Sequence, residues 1–476
     1  MTATRGCATL HDFATHVGPE QRHRSGRELR ARTPRSAHVY TGTDDPARDP
    51  LGTLAEQDSA RVPELLPIRY GRMAASPFAF YRGAAAVMAA DLASTPVSGL
   101  VTQACGDAHL CNFGLFGSAE RSLVFDINDF DETLPGPWEW DVKRLAASLE
   151  VAGRDNGYDA KTNAEVVLAA VGQYREAMRL FAGMTNLDVW YAKIDAGDLA
   201  SRTEDMSGRS RRKVDQILGK ARRRDSLREL AKITTVVEDE PRIVAEPPLV
   251  VPIRDLYPVP GEGDALKAVL TRLLRSYRRT LPADRGFLLD QYRPVDLARK
   301  VVGVGSVGTR CWVALLLGRD TDDPLFLQVK EASASVLEPA LGASRYANHG
   351  QRVVAGQRLM QATGDILLGW ERTKGIDGEQ RDFYVRQLRD WKGSVDVEQL
   401  LPQGMVKYGQ LCAWTLARAH ARSGDQIAIA GYLGRGHAFD YAVLAFAQAY
   451  ADQNERDHQS LLDAIADGRV TAETGV

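Results

Sequence analysis

Apolar and polar positions divide the chain into stretches of different period. Phe78 to Leu92 has the 3.6-residue spacing of a helix, as do Trp140 to Ala152 and Ala160 to Phe181. Between the first two, Gly99 to Phe130 alternates short apolar runs with Gly, Asn and Asp, a strand–loop–strand pattern with its polar groups in the loops. Residues 185 to 250 are polar and interrupted, Pro247 to Pro260 reads as a linker, and Asp264 to Thr280 as a basic helix. From Val301 the period becomes that of strands. Four apolar runs, VVGVGSVGTRCWVALLLG, PLFLQVKEA, ILLGW and FYVRQL, surround one helical stretch from Gly350 to Ala362. Helical spacing returns over 403–422 and 438–466. Residues 1–58 lack sustained periodicity and predict a mobile arm. The expected architecture is α+β in four parts: the arm (1–58), a large helical segment (59–290), a small β-rich lobe (291–398) and a returning helical segment (399–476).

Composition narrows the function classes. The chain has 476 residues, ample for a large core, with 60 basic and 62 acidic side chains and a formal charge of −2. That balance gives no general attraction to nucleic acid. The basic stretch Arg209 to Lys232 reads either as a solvated helical face or as a surface that recruits an anion. No apolar run reaches the ~18 residues of a membrane helix, and no secretory h-region opens the chain. The five scattered cysteines suggest reduced thiols and a cytoplasmic setting. A zinc site at Cys105, His109 and Cys111 lacks a second pair of ligands at zinc spacing.

The densest chemistry lies in CGDAHLCNFGLFGSAERSLVFDINDFD, residues 105–131. Asp107 and Asn112 sit five positions apart in one loop, and Asp129 and Asp131 follow a second apolar run. Two carboxylates and a carboxamide on adjacent loops suit a hard divalent cation such as Mg²⁺, and a further carboxylate can accept a proton from a hydroxyl. Asp126 or Asp131 could hold a second metal. His109 is placed to orient the loop. Asp141, in the first turn of the next helix, could hold the loop's backbone N–H groups or simply cap its own helix. Arg82 could meet a phosphate, the loop, or a carboxylate partner.

GDAHLCNF, INDFD and PWEWDVKRL together resemble the catalytic half of aminoglycoside-phosphotransferase-like kinases. The resemblance implies Asp107 as catalytic base, Asn112 as an Mg²⁺ ligand and Asp129 as the principal one. Over about residues 60 to 460, SPFAFYRG, GDAHLCNFG, FDINDFDET, GPWEWDVKRLAAS, GVGSVGTR, LQVKEA, VRQLRD and LARAHARSGD resemble the bacterial family called domain of unknown function 2252, which is grouped with protein-kinase-like proteins. The resemblance implies a two-lobed protein-kinase-like fold.

Gly303, Gly305 and Gly308 form GxGxxG between β-like runs, favouring a glycine hairpin over phosphates rather than a dinucleotide fold. Lys330, ending the next strand, is the expected phosphate lysine. Its glutamate partner is not evident. Glu331 would point to the opposite face, Glu338 is the better candidate, and the helical stretch 350–362 has no Glu. The backbone around Arg386, Gln387 and Leu388 is the expected adenine contact. The glycine loop follows the catalytic loop instead of preceding it, and Asp425 in LARAHARSGD lacks the asparagine five residues on. A circular permutation accounts for both. His420 and Asp425 are expected in core or capping roles.

The expected function is an ATP- and Mg²⁺-dependent phosphotransferase acting on a hydroxyl of a small-molecule acceptor, with no membrane or nucleic-acid partner. The missing glutamate motivates an alternative, a nucleotide-binding regulator without turnover. A nucleotidyl (AMP) transferase on the same scaffold is another.

Overall fold

The computed structural model describes residues 17–40, 48–202, 226–256, 271–374, 378–388 and 393–475, with isolated positions between 208 and 220 and residue 391. The chain is α+β. Helix Trp138–Asp155 is buried over nearly its whole length, because Trp138, Val142, Leu145, Leu149 and Val151 meet apolar faces on several sides. Around it pack helices Ala160–Ala182, Pro402–Ser423 and Ala438–Ala466. Trp138 stacks on Tyr174 with ring centroids 5.6 Å apart. Helix Ala160–Ala182 starts where the Asp159 carboxylate accepts the Thr162 N–H, which satisfies one of the first-turn donors. No helix among the described residues is long and apolar enough to cross a membrane.

The second body is a six-stranded antiparallel sheet in the order Gly369–Lys374, Gln380–Gln387, Pro324–Ala332, Cys311–Leu317, Arg293–Lys300, Val250–Pro252. Strand alternation sends Leu297, Ala314, Leu327 and Val385 to one face, where Tyr277, Leu281 and Leu289 cover them. Val313, Leu315, Phe326 and Leu388 go to the other, against Ile243, Leu230 and Ile233. Helix His349–Met360 lies against the strands that contain Trp370 and Tyr384.

Several expectations are corrected. The arm is ordered wherever it is described. Helix Pro19–Glu28 packs on helix Gln426–Leu433, His38 and Leu54 are buried, and Arg48 pairs with Asp91 at 2.8 Å and Asp457 at 2.6 Å. Its many arginines mask this in sequence, because their partners lie from 43 positions (Asp91 for Arg48) to some 400 positions away (Asp457 for Arg48, Asp425 for Arg22). Residues 1–16 and 41–47, with Cys7 among them, lie outside the described residues. The helix expected over Phe78–Leu92 is two, Pro77–Gly83 and Ala85–Ala93, broken at Ala84. The sheet begins before Val301, with Val250–Pro252 and Arg293–Lys300, so part of the expected linker is an edge strand. Of ILLGW only Gly369 and Trp370 are in a strand. Half of Arg209–Lys232 and all of positions 257–270 lie outside the described residues; Ser226–Ile233 is a helix on the small sheet.

Candidate functional site

Strand Val101–Ala104 delivers the chain to a loop fixed from below. The Asp141 carboxylate accepts the Cys105 N–H at 2.6 Å and the Gly106 N–H at 2.9 Å. His420 Nε2 lies 3.1 Å from that carboxylate, and the Tyr174 hydroxyl 2.8 Å from His420 Nδ1. This buried chain holds the loop and leaves His420 no access to a substrate. Above it the Asn112 amide donates to the Asp107 carbonyl at 2.7 Å, and the Asn128 N–H donates to the Asn112 carbonyl at 2.8 Å, tying the two acidic loops together. The Asp107 carboxylate is held by the Arg144 guanidinium, with Nε at 2.9 Å and Nη2 at 2.8 Å. His109 Nδ1 accepts the Cys111 N–H, and its Nε2 lies 3.7 Å from Asp107. Burial pushes the His109 imidazole down to about 4, so it stays neutral and orients the loop.

Lys330, on strand Pro324–Ala332, reaches the second loop. Its ammonium contacts Asp131 and lies 3.4 Å from Asp129 Oδ2, and the Tyr384 hydroxyl donates to Asp131 at 2.8 Å. Burial alone would raise the Asp129 carboxyl, but the charges of Lys330 and Arg386 overcome it and hold it below its ordinary range. Burial and the Asp129 charge push Asp131 the other way. Burial also pushes Glu132 up to about 7.

The glycine turn folds over both loops. Gly303 (φ +65°) and Gly308 (φ +89°) adopt the left-handed conformation that favours glycine. Arg61 Nη1 donates to the carbonyls of Gly305 (2.9 Å) and Val307 (2.5 Å), Arg72 to Gly303 (2.6 Å), and Val307 is seated among Val62, Leu65 and Ile68. A cavity of about 230 Å³ lies beneath. Asp107, His109, Asn112, Asp129, Asp131, Gly303 and Gly305 line it, with Gln57, Arg61 and Arg82 from the N-terminal helices. Asn112 and Asp129 fit a cation held mainly by phosphates and water, since Mg²⁺ needs only one or two protein oxygens in that setting. Among the described residues no group of three His, Cys, Asp or Glu side chains could by itself hold a metal ion.

A family model described as "Uncharacterized protein conserved in bacteria (DUF2252)" matches residues 61–464. The chain belongs to the DUF2252 family. No curated protein and no solved structure matches it. The DUF2252 match takes in both acidic loops, the glycine turn and Lys330, and leaves the N-terminal strap outside.

Other expected residues of this DUF2252 chain fall elsewhere. Glu338 is no partner of Lys330. Its carboxylate accepts the Ser335 N–H at 3.3 Å and lies 3.8 Å from His349, while Asp129 and Asp131 face the lysine. The Gln387 N–H donates to Asp365 at 2.5 Å and the Leu388 N–H to the Phe326 carbonyl at 2.9 Å, so neither is open to a base. The Arg386 side chain bonds Gln328 and the Asn128 carbonyl. Arg389 and Asp390 lie outside the described residues. Asp126 is no metal ligand, because it forms a buried ion pair with Arg418 and accepts the Ala362 N–H. Asp425 caps helix Gln426–Leu433 and pairs with Arg22 at 2.8 Å. Gly308 sits behind the cavity wall, against Arg61. Arg144, Tyr384 and Arg61 were missed. Arg144, three residues after Asp141 and so on the same helix face, was open to inference; nothing local marks the other two.

Proposed function

We propose that this chain is an Mg²⁺- and ATP-dependent phosphotransferase on a circularly permuted kinase-like fold, acting on a hydroxyl of a small acceptor. The observation that carries the reading is the single cavity lined by Asp107, Asn112, Asp129 and the glycine turn, with Lys330 bound to Asp129 behind it. The permutation is supported where helix Pro402–Ser423 ends beside the start of strand Val101–Ala104. The Gln103 N–H donates to the Ser423 hydroxyl at 3.2 Å, so a chain cut there and rejoined elsewhere keeps the same neighbours. Gln57, Arg61, Arg82 and Ala85 wall the cavity, which favours a small acceptor over a protein.

In this reading Asn112 and Asp129 would hold Mg²⁺, which when bound neutralises charge on the phosphate oxygens. The backbone of Gly303–Gly305 positions the phosphates, and Lys330, behind the cavity, holds Asp129 and Asp131 in place. Asp107 orients the acceptor hydroxyl and takes its proton. Its pairing with Arg144 fixes its orientation, which suits a loose phosphoryl-transfer transition state that depends mainly on positioning.

A nucleotide-binding role without turnover is the second reading. It is favoured by the lack of a glutamate on Lys330 among the described residues: the ammonium is held by Asp129 and Asp131, while Glu338 bonds Ser335.

Calorimetry of Mg·ATP binding to wild type and Asp129→Asn, with transfer of γ-labelled phosphate as second readout, tests both. Metal-dependent binding that is lost in the variant, together with transfer, is expected. Binding without transfer selects the second reading, and no binding by folded wild type refutes both.

A further inference from the structure

Arg82 and Arg61 line this cavity, and Arg82 stands apart both from Arg61 and from the cations behind its walls. Lys330 is paired with two carboxylates, Arg144 with Asp107, and Arg386 with Gln328 and the Asn128 carbonyl. Arg352 donates to the carbonyls of Asp131, Thr133 and Ser333. Arg61 is held on two carbonyls of the glycine turn, and the charges of Asp58 and Glu132 act on it with no ion pair to either among the described residues. Among the described residues no hydrogen-bond or ion-pair partner of the Arg82 guanidinium is found. The ring of Phe78, 6.0 Å away, lies beneath it, and its Nε is buried and unsatisfied.

Arg82 is half-buried, and its buried Nε has no partner to replace water, a cost that an anion entering the cavity and accepting from it relieves. The position of Arg82 is set by its surroundings. It lies on helix Pro77–Gly83, whose Tyr81 carbonyl accepts from Arg144 at 2.9 Å, so the residue is tied to the cation that holds Asp107. Its own carbonyl lies 3.1 Å from where a side chain on Gly305 would begin, which places it directly under the glycine turn. Its charge adds to burial in keeping His109 neutral. Arg82 and Arg61 therefore form a cationic wall in the same small cavity as Asp107.

We propose that Arg82, supported by Arg61, is an anion subsite for the acceptor. The substrate is then a small hydroxy compound that carries a phosphate or carboxylate, its anionic group forked by Arg82 and its hydroxyl presented to Asp107. The inference rests on the phosphotransferase reading for there being an acceptor at all. A phosphate of the donor nucleotide offers the same chemistry, so the test separates the two sources.

Binding of sn-glycerol 3-phosphate and of glycerol to the full chain is measured by calorimetry, with and without saturating Mg²⁺ and a non-hydrolysable ATP analogue. Wild type, Arg82→Gln and Arg82→Lys are compared after circular dichroism shows each folded. The phosphorylated probe is expected to bind and glycerol not. Arg82→Gln weakens the probe about tenfold or more, Arg82→Lys recovers part of the loss, and the analogue leaves probe binding in place. Unchanged affinity in Arg82→Gln, no probe binding by wild type, or mutual exclusion by the analogue each overturns the proposal, the last by assigning the anion to the donor. Arg82-dependent probe binding by a protein that binds no nucleotide sinks the phosphotransferase reading and leaves the anion subsite standing. Nucleotide binding with an Arg82-independent probe does the reverse.

Discussion

Replacing Lys330 with Met keeps the length and apolar stem of the side chain and removes its charge. At an effective dielectric of about 20, one 3.4 Å contact such as Lys330–Asp129 is worth about 5 kcal/mol before desolvation. Desolvation of an ammonium only 2% exposed returns much of that, while the two carboxylates keep 30% and 26% of their exposure. Breaking a buried pair costs about 3–5 kcal/mol, so with partial exposure the expected loss is about 2–4 kcal/mol at neutral pH. The loss depends on pH. In Lys330→Met, Asp129 and Asp131 face each other with no ammonium between them, so one carboxyl takes up a proton well above its ordinary range. A folded-state pKa above the unfolded one gives stability that is present at low pH and lost as pH rises through it. The deficit of the variant is therefore largest near pH 8 and smaller at pH 5. Urea unfolding followed by tryptophan fluorescence at the two pH values measures it. Mg²⁺ is expected to raise the urea midpoint of the variant more than that of wild type, because the divalent ion replaces the missing counter-charge. A deficit equal at both pH values and insensitive to Mg²⁺ would show that the lysine acts by packing alone and would refute the electrostatic account.

Lys143 tests the same physics without a carboxylate partner. Buried against Phe446, with its ammonium donating to Thr95 at 2.9 Å, it is pushed by burial down to about 8. Unfolded chains hold more protons between that value and the ordinary 10.5, so wild-type stability should rise with pH across the window. Lys143→Met should remove the slope and stabilise the protein at pH 7 by up to about 3 kcal/mol, less the lost hydrogen bond; equal destabilisation at pH 7 and pH 10 would contradict this. Gly26→Ala addresses the strap, because a methyl there would begin 1.9 Å from the Ala428 carbonyl oxygen. Early proteolytic release of the N-terminal segment is expected, at a stability cost of about 1–3 kcal/mol, and wild-type protease resistance would count against the packing.

Periodicity located the long helices, the strand–loop–strand run and most of the small sheet, since burial of one face repeats along each of these segments. The acidic loops stood out for a similar reason: Gly, Asn and Asp cluster where the backbone turns and polar groups gather. Asp141 was readable as a loop support because its distance from Cys105 is short in sequence and its helix begins immediately after the loop. Glu338 was not excludable from sequence. Choosing among nearby acids for Lys330 depends on which strand face meets which loop, and that is decided between segments some 200 residues apart. The arm failed for a related reason. A run rich in Arg, Ser and Gly reads as unpartnered until Asp425, Asp91 and Asp457 are brought to it from far along the chain.

By itself, then, the sequence determined the local elements and the chemical types in the loops, because these follow from backbone preference and side-chain period. Only the tertiary structure decided the charge pairing: Arg144 on Asp107, Arg418 on Asp126, Lys330 between Asp129 and Asp131, and Arg82 over the Phe78 ring with no ion-pair partner among the described residues. Pairing depends on distance and desolvation between groups remote in the chain, and neither quantity is carried by any local pattern.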